Sequence, residues 1–175
     1  MQLEQCPDCG IQLPTYPQDA RPTHKYIGAS ASCWELFVNL NHGHIPPLAS
    51  YPGRGLILDA YCVQHHGVPS PAAIQSVAVH LLVLYGVFMR DVPLNRAQWI
   101  RERGVRPLKI HRHERYHWLT PPSQTDLLTI GDIVNGESPA ERTAIAQKYV
   151  KQVSELWLSV HETAASEWYD KFIAA

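Results

Sequence analysis

A mainly helical bundle, with a cysteine-bearing N-terminal module and a long C-terminal helix, is the fold this 175-residue sequence predicts. Three observations predict it. Residues 139–172 contain no internal breaker, and their apolar residues recur at three- and four-residue spacing. Residues 77–88, VAVHLLVLYGVF, are apolar all round except for His80, as a helix buried on most sides would be. The chain opens with Cys6-Pro-Asp-Cys9-Gly10, a paired-thiol turn in a segment with little core of its own.

The helices follow in order from their caps and periodicities. Ser30 can cap a first helix over 31–41, where Trp34, Phe37, Val38 and Asn41 keep helical spacing. After a proline- and glycine-rich loop at 42–55, a second helix is expected over 56–64, stopping before Gly67 and Pro69. Ser70-Pro71 is a cap followed by proline at the first helical position, so a third helix is expected to run to about Met89. A short fourth helix over 95–103 should end at Gly104, with a short strand possible over 105–110. Thr129 to Val134 reads as one helical turn. Ser138-Pro-Ala-Glu141 is a capping box that starts the last helix. Its expected core stripe is Ile145, Tyr149, Val153, Leu156, Val160, Ala164, Trp168 and Phe172, with Trp157 and His161 at the edge. Residues 1–33 are thus expected as a knuckle segment packed on a helical domain, 34–175, that carries an irregular basic insertion at 96–137.

Composition narrows the function classes. The chain is 45% hydrophobic and 18% charged, enough for a core, and wholesale disorder is excluded. A net charge of −1 creates no global field toward nucleic acid or anionic membrane. No apolar run approaches the roughly 20 residues of a membrane span, and no secretory leader is read at the N-terminus. A cytoplasmic protein without a membrane partner is expected.

Ten histidines beside four cysteines point to metal. In a reducing compartment the thiols stay free, and a CxxC closed by glycine lets both sulfurs reach one ion. His24 and Cys33 are the nearest further donors, which gives Cys6, Cys9, His24 and Cys33 as the expected structural zinc set. A redox pair and inert thiols are the rival readings; Cys62, in an apolar stretch, reads as packing.

A second site is expected in the bundle core. His80 and His161 fall on inward faces, and Asp59 and His65 lie on or just past the second helix. Facing helices build metal sites in this way, so Asp59, His65, His80 and His161 form a candidate catalytic centre. A second divalent metal there would activate water or a thiol, on an unidentified small-molecule substrate. Asp59 and His65, six residues and about 120° apart on a regular helix, can share an ion only if the helix ends near Gln64.

Between Arg96 and His117 stand seven basic residues against two acidic ones, with Trp99, Tyr116 and Trp118 interleaved. That stretch supports the alternative function, a non-enzymatic zinc-containing module that contacts nucleic acid or an acidic partner. His113-Glu114-Arg115-Tyr116-His117 also matches HExxH, but Pro107 and Pro121 leave little room for the helix a zincin needs.

Several segments also form an ordered series: CPDCG, His24 to Ser30 as HKYIGAS, Cys33-Trp34-Glu-Leu-Phe37, Asp59 to His65 as DAYCVQH, Gln75 to Leu81 as QSVAVHL, and Trp118-Leu-Thr-Pro121-Pro122 with Thr129. The series resembles a bacterial domain-of-unknown-function family over nearly the whole chain. The resemblance implies that His24 and Cys33 partner the CxxC and that His65 and His80 are motif positions. The family pattern has proline where His66 stands, which implies His65 as the working histidine. It has a His-His pair near the C-terminus where this chain has Val160-His161. Three inward histidines on a bundle are also similar, at fold level, to DinB-like metal-dependent thiol transferases.

Overall fold

The computed structural model describes residues 2–15, 23–41, 51–110 and 116–175, with backbone alone at 107–110. It is mainly helical. A two-stranded antiparallel hairpin comes first, β1 (Leu3–Gln5) paired with β2 (Gln12–Pro14), with Leu3 opposite Pro14. The helices are α1 (Ala31–Asn41), α2 (Gly55–Gln64), α3 (Pro71–Met89), α4 (Ala97–Ile110), α5 (Ile130–Asn135) and α6 (Pro139–Tyr169). Short 3-10 turns precede α2 and α4, and a single π turn, Asp170–Ala174, follows α6.

The expected caps hold. Ser30 Oγ accepts from the Cys33 amide, Ser70 Oγ from the Ala73 amide and Ser138 Oγ from the Glu141 amide, each at 3.1–3.2 Å. Each satisfies an amide that the first helical turn leaves without a partner. The Glu141 carboxylate accepts in turn from the Glu137 amide at 2.8 Å.

Helix α3 is the axis of the core. Leu81, Leu82, Val83 and Leu84 are completely buried, because α2, α4 and α6 all pack on this helix. By length and composition α3 could cross a membrane, contrary to the sequence reading, and 56% of that apolar window is buried by its neighbours. Burying one Leu or Val contributes about 1.5–3 kcal/mol, so this helix holds much of the core's driving force.

Three expectations are corrected. Helix α4 continues through Gly104 and residues 105–110 to Ile110, so no strand follows it. Its amphipathic pattern, with Ala97, Ile100 and Gly104 buried against the core, outweighs the single glycine. The buried face of α6 is also rotated from the expected stripe. Trp157 and Leu158 are buried while Val160 is 59% exposed. His161 leaves helical geometry at φ −122° and ψ 16°, and this break resets the phase between the two halves of the helix.

Candidate metal centre

The CPDCG segment closes the tip of the β1–β2 hairpin. The Cys6 amide donates to the Ile11 carbonyl at 2.9 Å and the Gly10 amide to the Cys6 carbonyl at 3.0 Å, which folds the two thiols to one side. Gly10 takes φ +75°, a conformation that side chains with a Cβ disfavour. Cys33 enters from the first turn of α1, positioned by its amide's bond to Ser30.

The fourth potential donor beside the three sulfurs is His65. Helix α2 ends at Gln64 because the next residues cannot continue it. His65 is the C-cap at φ −102° and ψ 63°, and Gly67 turns left-handed at φ +66°. Gln64, fully buried, fastens this end: its amide donates to the Leu128 carbonyl, and its oxygen accepts from the Tyr149 hydroxyl, both at 3.0 Å. Asp8, inside the knuckle, accepts from the Gly67 amide at 2.8 Å, so knuckle and helix end are bonded directly.

One donor atom from each of Cys6, Cys9, Cys33 and His65 lies within 4.8 Å of every other. A tetrahedral ion with metal–sulfur bonds of about 2.3 Å sets its sulfurs about 3.8 Å apart, and a sulfur about 3.5 Å from a histidine nitrogen. The Cys9 and Cys33 sulfurs are 3.9 Å apart, and Cys33 Sγ lies 3.4 Å from His65 Nε2. The ring's other nitrogen, Nδ1, is 2.9 Å from the Tyr61 carbonyl. A carbonyl only accepts, so Nδ1 carries the proton and Nε2 turns its lone pair to the sulfurs, as an outer partner arranges a metal-bound histidine. Burial works against charge on this ring, but with no ion present the neighbouring Cys6 and Cys9 sulfurs outweigh it and raise its pKa to about 10, so Nε2 would give up a proton as a metal binds. These residues fit a metal of the Cys₃His type.

His24, expected as the fourth donor, lies outside this cluster. It is exposed and stacks on Tyr26, with ring centres 5.2 Å apart and an edge toward Trp34. The loop through Tyr26 and Ile27 turns its ring away, and the place it was expected to fill belongs to a residue 32 positions beyond Cys33. The buried-histidine argument did single out His65, which the structure places with the cysteines and not with His80 and His161.

The four residues expected as a catalytic centre do not converge. His65 belongs to the sulfur cluster. His161 Nε2 donates to the Thr120 carbonyl at 2.8 Å, and its ring lies beside Trp157. Asp59 and His80 do meet, with Nδ1 2.7 Å from Oδ1. Arg101, which sequence reasoning had placed only in a basic stretch, grips the same carboxylate through Nε at 2.9 Å and Nη2 at 2.6 Å. Both oxygens of the fully buried Asp59 are therefore engaged. Burial opposes charge on His80, while Cys62 and Asp59 beside it outweigh that effect and raise its pKa to about 10. Among the described residues, the one group whose donors lie close enough together to hold an ion is the cysteine cluster.

Two cations of the basic stretch are spent internally, Arg101 on Asp59 and Arg103 on the Ala175 oxygen. Arg96 and Arg103 also flank the Trp99 ring. His113, Glu114 and Arg115 lie outside the described residues. Tyr116 and His117, the rest of the HExxH match, sit in non-helical chain.

A family of unknown function, DUF5946, matches residues 4–158, most of the chain and all four members of the cysteine cluster. The chain belongs to DUF5946. Its membership agrees with the family resemblance read from the ordered motifs. No curated protein and no solved structure matches this DUF5946 member.

Proposed function

We propose that this protein is a small zinc metalloprotein in which Cys6, Cys9, Cys33 and His65 hold one structural zinc ion. The convergence of those four donors within 4.8 Å carries the reading. Three thiolates and an imidazole suit zinc, and four protein ligands leave no open position for water or substrate. The ion would tie the hairpin to the start of α1 and the end of α2, beside the stacked rings of Phe37 and Tyr61. Thiolates kept for a metal suit a reducing compartment, so we assign the protein to the cytoplasm.

Elemental analysis of purified protein tests this. We expect one zinc per chain, lost in Cys9→Ser and Cys33→Ser. Two metals per chain would place a second ion elsewhere and overturn the single-site reading.

A second reading concerns activity. His80, with Nδ1 tied to Asp59 and the Cys62 thiol beside it, lines a surface pocket, which supports metal-free acid–base chemistry of a hydrolase or thiol-transfer kind. Asp59 orients the ring and, with both oxygens engaged, is not itself the base. Turnover of an ester or thioester panel should vanish in His80→Gln while zinc is retained. Persistence of turnover would remove the reading. The nucleic-acid alternative is weakened by the internal use of Arg101 and Arg103.

A further inference from the structure

We propose that the pocket beside His80 is a binding site for a compact oxyanion, a small carboxylate or inorganic phosphate. The proposal shares its residues with the acid–base reading above and is independent of the zinc assignment.

The pocket, about 220 Å³, opens where the first turns of α3 meet α4 and the Tyr26 loop. Its polar wall is His80, Ser76, Gln75 and Tyr26, its apolar wall Val79 and Val105, and among the described residues no carboxylate lines it. Its volume lies below the roughly 300–1,000 Å³ of sites for drug-sized ligands, so its occupant is compact. Ser76 stands four residues before His80 on the same face of α3, and Gln75, one residue earlier, lines the pocket from the side.

Charge determines the class of ligand. Behind the ring, the Asp59 charge is already met by Arg101 in a two-pronged ion pair. A proton on His80 therefore leaves the Asp59–Arg101–His80 group one positive charge in excess. The His80 side chain is 16% exposed, too little for water to screen that charge fully. An ion in such surroundings calls for a counter-charge. Tyr26 faces the pocket from the loop; Asp59 and Cys62 meet His80 from α2, and Arg101 comes from α4. Of these, the Cys62 thiol, which hydrogen-bonds the ring, is the one that could compete with an outside anion for His80.

The test is NMR of the zinc-loaded full chain with labelled histidine rings, His80 being assigned by the signal missing from His80→Gln. Sodium acetate and sodium phosphate are titrated separately, with sodium chloride at matched ionic strength as control. The expected result is a saturable shift of the His80 ring signals with one or both oxyanions, absent with chloride. Ser76→Ala, a rim change that leaves the Asp59 pairing intact, should weaken that affinity several-fold. The acetate and phosphate arms decide which oxyanion the site takes. Shifts that never saturate, that chloride reproduces, or that Ser76→Ala leaves unaltered would overturn the proposal. Zinc content, measured on the same samples, keeps failure here distinct from failure of the metal site.

Discussion

His65 Nε2 lies 3.4 Å from the Cys33 sulfur although 32 residues separate them, and that contact joins the end of α2 to the start of α1. The N-terminal knuckle is therefore incomplete without the helical domain. We predict that His65→Ala abolishes high-affinity zinc binding, whereas His24→Ala leaves one zinc per chain. A competitive titration with a chromophoric chelator checks both, and equal loss in the two variants would contradict the assignment.

Chelation should act mainly on the N-terminal part. Structural zinc contributes apparent binding free energies of about 10–16 kcal/mol in small zinc domains, and much of that is folding free energy. Here α3 and its neighbours have their own core, so the chelated protein should keep most of its helical circular dichroism while its Tm falls. Hydrogen exchange should rise across 3–15 and around Gly67, whose amide bonds to Asp8. Uniform exchange across the whole chain would show that the bundle also depends on the metal.

Asp59→Asn should be among the most destabilising single changes. It removes a buried charge from Arg101 and His80 together, and breaking one partner out of a buried pair costs about 3–5 kcal/mol. Urea unfolding measures this. A cost below about 1 kcal/mol would mean that water reaches the carboxylate.

The same pair sets a pH dependence. The pKa of His80 is raised above its ordinary value of 6.5 to about 10 in the folded protein. A raised histidine contributes stability that is fully present below the unfolded value and fades as pH climbs through the folded one. The stability difference between wild type and His80→Gln should accordingly be constant below about pH 6.5 and shrink between there and about pH 10. Denaturation midpoints across that range check the sign; a difference that grows with pH would reverse it.

Trp157→Ala should cost about 3–5 kcal/mol, the usual range for an aromatic removed from a core, since the ring is fully buried beside His66 and His161. Val160→Ala, three residues on and 59% exposed, should change stability little. The comparison tests the rotated face of α6 directly.

The sequence made the helices legible wherever a cap and a period agreed, as at Ser70-Pro71 and Ser138-Pro139. It misjudged α4, where Gly104 suggested a stop that packing of Ile100 and Ala97 overrides. The break at His161 carries no proline or glycine, so periodicity alone ran the stripe straight through it. Three of the four clustered metal-site residues were readable because Cys6, Cys9 and Cys33 are close in sequence. His65 was visible as a buried polar residue, yet its partner set depended on a long-range contact that spacing does not encode. Helix α2 does end at Gln64, the condition under which Asp59 and His65 could have shared an ion, so spacing alone did not assign them to different places. Arg101 was hidden for a similar reason: a charge run shows no sign of which member turns inward.

Zinc K-edge X-ray absorption on the purified chain tests the central claim most directly. The account predicts three sulfurs at about 2.3 Å and one imidazole nitrogen at about 2.0 Å, with the nitrogen shell lost or replaced in His65→Ala but unchanged in His24→Ala. A shell of nitrogen and oxygen alone, or an imidazole that disappears with His24, would contradict it.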